Sequence, residues 1–184
     1  KTRPNTGIPM FDVTGESGST TDLLLTRFDY QPARSHTFSL RAGFYWNETL
    51  GSVSGRQTLE QQSTSKYQRH SIVGSHTWIV GNSAVNELKV QYLPMTYDNQ
   101  ATTTTPQREF PSAILGAGYR YPQGYSEWQY QVRDDFYVTH GAHNLKWGVE
   151  ASRIKLTANL SVSKRGRYWY ARDPLDFADP ATWP

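Results

Sequence analysis

Residues 128–156 read WQYQVRDDFYVTHGAHNLKWGVEASRIKL. In the second half, Leu145, Trp147, Val149 and Ala151 alternate with Lys146, Gly148, Glu150 and Ser152. A period of two belongs to a strand whose successive side chains point to opposite faces, and an apolar set against a polar one gives it a greasy and a wet side. Residues 128–139 also read as a strand, and His140-Gly141-Ala142-His143 leaves room only for a tight turn. The unit is a β-hairpin.

Two further hairpins precede it, over about 23–46 and 66–93. In the first, Leu24, Thr26, Phe28 and Tyr30 share one face while Arg27 and Asp29 take the other. After a turn through 31–35, Phe38, Leu40, Ala42, Phe44 and Trp46 oppose Thr37, Ser39, Arg41, Gly43 and Tyr45. In the second, a turn at Gly81, Asn82 and Ser83 leads into Leu88, Val90 and Tyr92 alternating with Glu87, Lys89 and Gln91. A seventh strand is expected near 165–170. The turns inside hairpins are short, whereas the links between hairpins, 47–65 and 94–127, are long and rich in Gly, Ser, Thr, Gln and Pro. Antiparallel strands reverse direction each time, so all short turns fall at one end of the sheet and all long loops at the other.

Composition narrows the class. Of 184 residues only 36% are hydrophobic, yet 14% are aromatic, with Tyr the commonest of these; aromatic residues suit a pleated, half-buried surface. No run approaches the roughly 18 apolar residues that a membrane helix needs, so a helical membrane protein is excluded. A low mean hydropathy says nothing against a transmembrane barrel, in which only alternate residues meet lipid. There is no cysteine, which removes disulfides, thiolate metal sites and cysteine nucleophiles. The net charge of +3 forms no long basic run, and no nucleic-acid partner is expected. The opening Lys-Thr-Arg-Pro carries no signal peptide, as expected of a mature or internal fragment.

Alternation alone does not separate a membrane barrel from a soluble β-sandwich that binds carbohydrate through aromatic loops. Three features favour the barrel: strands of about ten residues, one-sided loop length, and aromatic placement. Trp46, Tyr92, Trp128 and Tyr130 lie toward the long-loop end, and Tyr30, Trp78, Trp147 and Trp169 toward the short-turn end, as two interfacial girdles require. Asp134 breaks the pattern, falling in register with Val132 and Phe136; either a bulge resets the alternation there or a neighbouring strand covers it.

Certain residues carry a family resemblance. Arg27-Phe28-Asp29-Tyr30 stands before a short turn, Trp78 and Asn82 precede Val85-Asn86-Glu87-Leu88, and residues 130–135 lead to Gly141-Ala142-His143-Asn144-Leu145-Lys146-Trp147-Gly148-Val149-Glu150. With Phe110-Pro111-Ser112 and Arg165-Gly166-Arg167-Tyr168, this order resembles the barrel of TonB-dependent receptors, closest to the Oar-like branch, across most of 22–170. The resemblance implies an all-β, antiparallel up-and-down meander of six or seven strands, a partial segment of a 22-strand bacterial outer-membrane barrel. It also implies nutrient uptake, with outer-membrane lipid, a plug domain and TonB as partners of the full-length protein. No plug domain or TonB box occurs within 1–184, which reads as a single partial barrel segment from a truncated frame. The transported ligand is unspecified.

Candidate sites follow. The lumen-facing set is Arg27, Asp29, Arg41, Glu87, Lys89, Gln91, Arg133, Lys146 and Glu150, which either contact a plug and substrate or pair across strands in a hydrated interior. Tyr97, Phe110, Tyr119, Tyr121 and Tyr125 are candidates for an extracellular ligand surface, or else pack their loop against itself. No catalytic constellation, metal site or cofactor is expected: His140 and His143 flank a turn with no third ligand, no Gly-x-Ser-x-Gly elbow exists, and Gly116-Ala117-Gly118 lacks a βαβ setting. Asp173, Asp176 and Asp179 read as a solvated tail. No enzymatic activity is predicted.

Overall fold

The computed structural model describes residues 1–184. It is all β, with no α-helix. Six long strands form one antiparallel sheet: β1 (Gly18–Ala33), β2 (His36–Leu50), β3 (Ser63–Val80), β4 (Ala84–Ala101), β7 (Gln123–His140) and β8 (His143–Leu160), in the order β1-β2-β3-β4-β7-β8. Three short strands, β5 (Gln107–Glu109), β6 (Ile114–Leu115) and β9 (Arg167–Trp169), form a second sheet in the order β6-β5-β9. The meander is open: β1 and β8 are both edges, and every residue of each is exposed.

Register propagates the alternation across the sheet. Phe28 pairs with Leu40, Leu40 with Gly74, Gly74 with Val90, Val90 with Val132 and Val132 with Ala151. One row further along each strand, on the opposite face, Asp29, Ser39, Ser75, Lys89, Arg133 and Glu150 form the matching polar row. The one register shift lies between Tyr30 and Ala33, at the first turn, and leaves the rows above it intact. Gly141, at a φ of 59°, supplies the left-handed backbone that the last tight turn uses at no steric cost.

The apolar face of the sheet covers nothing. Leu24, Phe28 and Val149 are 55%, 64% and 69% exposed, so the greasy residues do not meet in a closed core and the sandwich reading fails. An apolar surface this continuous marks a membrane or partner-facing side. On β2 the apolar band runs from His36 to Trp46, roughly 34 Å along the strand at about 3.4 Å per residue. Tilted by about 40°, that is about 26 Å of height, against the roughly 25 Å apolar band of an outer-membrane barrel.

The strands are longer than their alternation suggests, 15 to 18 residues instead of about ten. The long links accordingly shrink to 51–62 and 102–122. Above Trp46 both faces turn polar: Thr20, Glu48, Lys66 and Asp98 lie in one row, and Ser19, Thr49, Ser65 and Asn99 in a row on the other side. These ends leave the apolar band and are held by the backbone ladder and by polar cross-strand contacts such as Lys66 to Glu48 and Asn47 to Ser19 and Thr21, which apolar alternation does not report.

The one compact core sits beyond them. Of the 14 buried residues, Asp135 is the sole one in the large sheet. The others lie in a cap at the long-loop end, built from residues 1–17, 51–62, 102–122 and 161–184. Phe110, 0% exposed, stacks on Tyr170 at 4.4 Å and meets Phe177 and Trp183 edge-on at 5.3 and 5.5 Å. Around it, Arg56 donates to the Phe110 carbonyl, Glu60 accepts from the Gly116 amide, and Asp173 accepts from both the amide and the hydroxyl of Ser112. The tail is therefore docked through Asp173, Phe177 and Trp183, while Asp176 and Asp179 stay exposed to solvent. The expected seventh strand is β9, but it joins β5 in parallel within the cap and adds nothing to the meander. Trp169 goes with it to the long-loop end, opposite to the girdle assigned to it.

Phe110→Ala removes the centre of this cluster and is expected to destabilise the cap by about 3–5 kcal/mol, while the large sheet, which shares no buried side chain with it, persists. Hydrogen exchange of the chain in detergent checks this: faster exchange in 102–122 and 161–184, with unchanged protection in β3 and β4, is the expected result.

Candidate functional site

All nine charged and amide candidates share one face. The row-by-row pairing carries Arg27 to Arg41, Asp29 through to Lys89, Arg133 and Glu150, and Gln91 to Gln131; Glu87 and Lys146 lie on the same side by parity. Their pairing is mainly along each strand. Arg27 holds Asp29 with two hydrogen bonds of 2.6 and 2.9 Å, Lys89 lies 3.6 Å from Glu87, and Arg133 grips Asp135 at 2.7 and 3.2 Å. Residues two apart on a strand share a face, which is why these partners meet. Across strands, Arg133 lies 3.7 Å from Glu150, and Gln131 donates to Glu150 at 2.7 Å. Lys146 sits over the Tyr137 ring at 4.7 Å. Arg41 makes no ion pair or hydrogen bond.

Asp135 is the tightest part of this face. It is 5% exposed and opposes Gly148 on β8. A Cβ at 148 would stand 2.6 Å from Asp135 Oδ1 and 2.7 Å from the Asp134 carbonyl oxygen, so glycine is what allows the carboxylate to lie down beside Arg133.

On the apolar face, Asp134 keeps register with Leu88 and Val149, without a bulge. Asn86 of the neighbouring β4 donates to its carboxylate at 2.6 Å, a bond to a charged group of the stronger kind. The alternation is not reset there; a diagonal partner compensates this acidic group in the band. Nearby, His36 Nδ1 and His76 Nε2 lie 3.0 Å apart in a stack that includes Phe38 and Trp78. Aromatic rings mark both ends of the band, with Phe44 and Trp46 packed around His70 above and Phe136 on Trp147 below.

The five proposed loop aromatics separate. Tyr97 belongs to β4 and Tyr125 to β7; they oppose each other in register with rings 5.1 Å apart, on the polar face of the sheet. Neither is a loop residue. Tyr67 pairs with Tyr97 in the same row, and Tyr45 packs against Tyr67 at 5.9 Å, completing a four-tyrosine cluster. Phe110 is the cap's core and offers no surface to a ligand. Tyr119 and Tyr121 alone stay on a loop and half-exposed, and they line a polar cleft of about 300 Å³ with Gln57, Gln61, Glu109 and Arg167.

In that cleft Arg167 is held between the rings of Tyr119 and Trp169, at 3.9 and 4.1 Å, and donates to Glu109 Oε1 at 2.6 Å. Gln107 donates to the same oxygen and accepts from the Tyr119 amide. Burial pushes the Glu109 pKa up, but the Arg167 and Gln107 hydrogen bonds and the Arg167 charge outweigh it, so the net direction is down from the ordinary value of 4.5. Sequence reasoning missed Glu109 and Gln107. Neither shows alternation, and the partner that gives Glu109 its role is 58 residues away.

An antiparallel sheet with a bilayer-high apolar band, aromatic girdles and an ion-paired opposite face is a segment of the wall of a transmembrane β-barrel. The chain matches the family model for the outer membrane beta barrel domain over residues 2–176, and it belongs to that family. Its setting is therefore the outer membrane, with lipid against the apolar face and the nine charged and amide residues on the opposite face of the sheet. No curated protein and no solved structure matches it significantly. The side chains gather no group of three or more His, Asp or Glu of metal-holding geometry.

Two outcomes are expected. In the vesicle-reconstituted protein, Val132→Lys destabilises by about 2–4 kcal/mol because it places a charge at mid-band on the lipid face, whereas Gln131→Lys, one residue away on the wet side, changes stability by less than about 0.5 kcal/mol; urea titration measures both. The second concerns pH. Because the folded pKa of Glu109 is lowered, its contribution is complete above the unfolded carboxylate value and is lost as pH falls through the folded one. The cap is thus expected to loosen below about pH 4.5 while the meander stays intact, read from near-ultraviolet dichroism of Trp169 and Trp183; Glu109→Gln removes that acid transition.

Proposed function

We propose that this barrel wall is part of a TonB-dependent receptor that moves a nutrient across the outer membrane, and that it does no chemistry on its cargo. The observation that carries the reading is the lumen face. Its ion pairs are exposed to more than a third at Arg27, Asp29 and Arg133, as befits groups in a hydrated interior, and Arg41 is left with an open guanidinium facing Arg27 across the strand pair. A face of this kind suits transient hydrogen bonds to a plug or a passing solute better than a dry, self-sealed barrel interior. The tyrosine cluster below the cap, Tyr45, Tyr67, Tyr97 and Tyr125, lies on the same face and supports the reading of a solute path along it. The family resemblance in 22–170 points the same way.

The full-length protein, purified in detergent, is expected to capture the periplasmic domain of TonB from its own host in a pull-down. An intact, correctly folded protein that fails to do so overturns the proposal, and a passive barrel takes its place.

A further inference from the structure

Most polar groups of the cap are paired within the chain, but several that line the cleft are not. Glu109 is nine-tenths buried, and only its Oε1 is engaged, by Arg167 and Gln107; Oε2 accepts no hydrogen bond within the chain. Gln61 donates to the carbonyls of Leu115 and Gly116, which fixes its amide and leaves Oε1 open. Gln57 accepts from the Ser54 amide, leaving Nε2 open. Arg120 uses Nε on the Tyr119 hydroxyl and keeps its terminal nitrogens free, and the Tyr121 hydroxyl has no partner. A Cβ at Gly118 would sit 3.0 Å from the Tyr121 ring and 3.6 Å from Gln61 Oε1, so the glycine lets both side chains converge on the same space.

These open groups alternate in kind. Glu109 Oε2 and Gln61 Oε1 accept, Gln57 Nε2 and Arg120 donate, and the Tyr121 hydroxyl does either. A free anion would meet the unpartnered carboxylate, and a free cation would meet Arg120 and Arg167. A neutral ring bearing several hydroxyls satisfies both sets at once, because each hydroxyl donates and accepts. At about 300 Å³ the cleft lies at the small end of the roughly 300–1,000 Å³ range of ligand sites, room for one such ring and not for a large chelate.

We infer that the cap is a saccharide-binding site, with Glu109, Gln61, Gln57, Arg120 and Tyr121 holding one neutral sugar unit at the long-loop mouth of the barrel. It deepens the receptor proposal by naming a cargo class. Binding is nevertheless measurable without TonB, so each can fail while the other stands.

The test uses the full-length protein in detergent and saturation-transfer NMR with glucose, galactose, N-acetylglucosamine and rhamnose. At least one is expected to bind, and Arg120→Ala, an exposed position whose loss leaves the cap core intact, should weaken it about tenfold. Glu109→Gln, which keeps the shape but changes the acceptor, should also weaken it, whereas the lumen variant Lys89→Ala should not. Three results overturn the inference: no saturation transfer to any of the four sugars from a protein with native tryptophan dichroism, binding indifferent to both cap variants, or displacement of the sugar by millimolar inorganic phosphate or spermidine, which would mark an ionic site.

Discussion

In hydrocarbon a backbone amide has no water to turn to, and each unsatisfied group costs several kcal/mol. That constraint governs this chain. It makes the strands run long and in unbroken antiparallel register from β1 to β8, keeps the single register shift at the turn, and lets side chains sort by face with no need for a core beneath them. It also bears on β1 and β8, whose outer edges carry unpaired amides and carbonyls along their whole length. In lipid such edges require strand partners, so the six strands act as a sector of a closed wall and not as a free-standing sheet.

Because the solvent on one side is lipid, the usual relation between burial and stability is inverted. The residues that look exposed are the ones that carry the membrane-facing energetics, and the small set that is buried belongs to the cap. The two parts are stabilised by different means: the wall by its ladder and by transfer of Leu, Val and aromatic side chains into lipid, the cap by the Phe110 cluster and a mesh of side-chain to backbone hydrogen bonds. This division leaves the cap free to vary its residues without disturbing the wall, and it is the arrangement in which recognition is carried by loops on a rigid scaffold.

Period-two alternation suffices to read the three hairpins, the loop asymmetry and the common face of the nine charged and amide residues, since each depends on local sequence and parity. It is blind wherever a strand is polar on both faces, and so the upper ends of β2, β3, β4 and β7 read as loop, and with them Tyr97 and Tyr125, which are strand residues. It is equally blind to the cap, whose contacts join residues far apart: Arg56 to Phe110, Ser112 to Asp173, Glu109 to Arg167. Phe110 stands out in the sequence only as an aromatic, and it is the tail folding back over it that makes it core and not surface. Asp134 shows the limit of pattern itself, for its partner Asn86 is a diagonal neighbour on another strand, which no single-strand reading reveals.

The polar upper ends of the strands have one more effect. From Trp46 to Leu50 the wall rises four residues past the apolar band, about 14 Å along the strand and about 10 Å in height at the usual tilt. They form a parapet comparable with the Debye length of physiological saline. The cap therefore stands in bulk medium, largely screened from the charge of the membrane surface. What it senses is the acidity and salt of the surroundings, and a sugar reaching the cleft meets it before it meets the membrane.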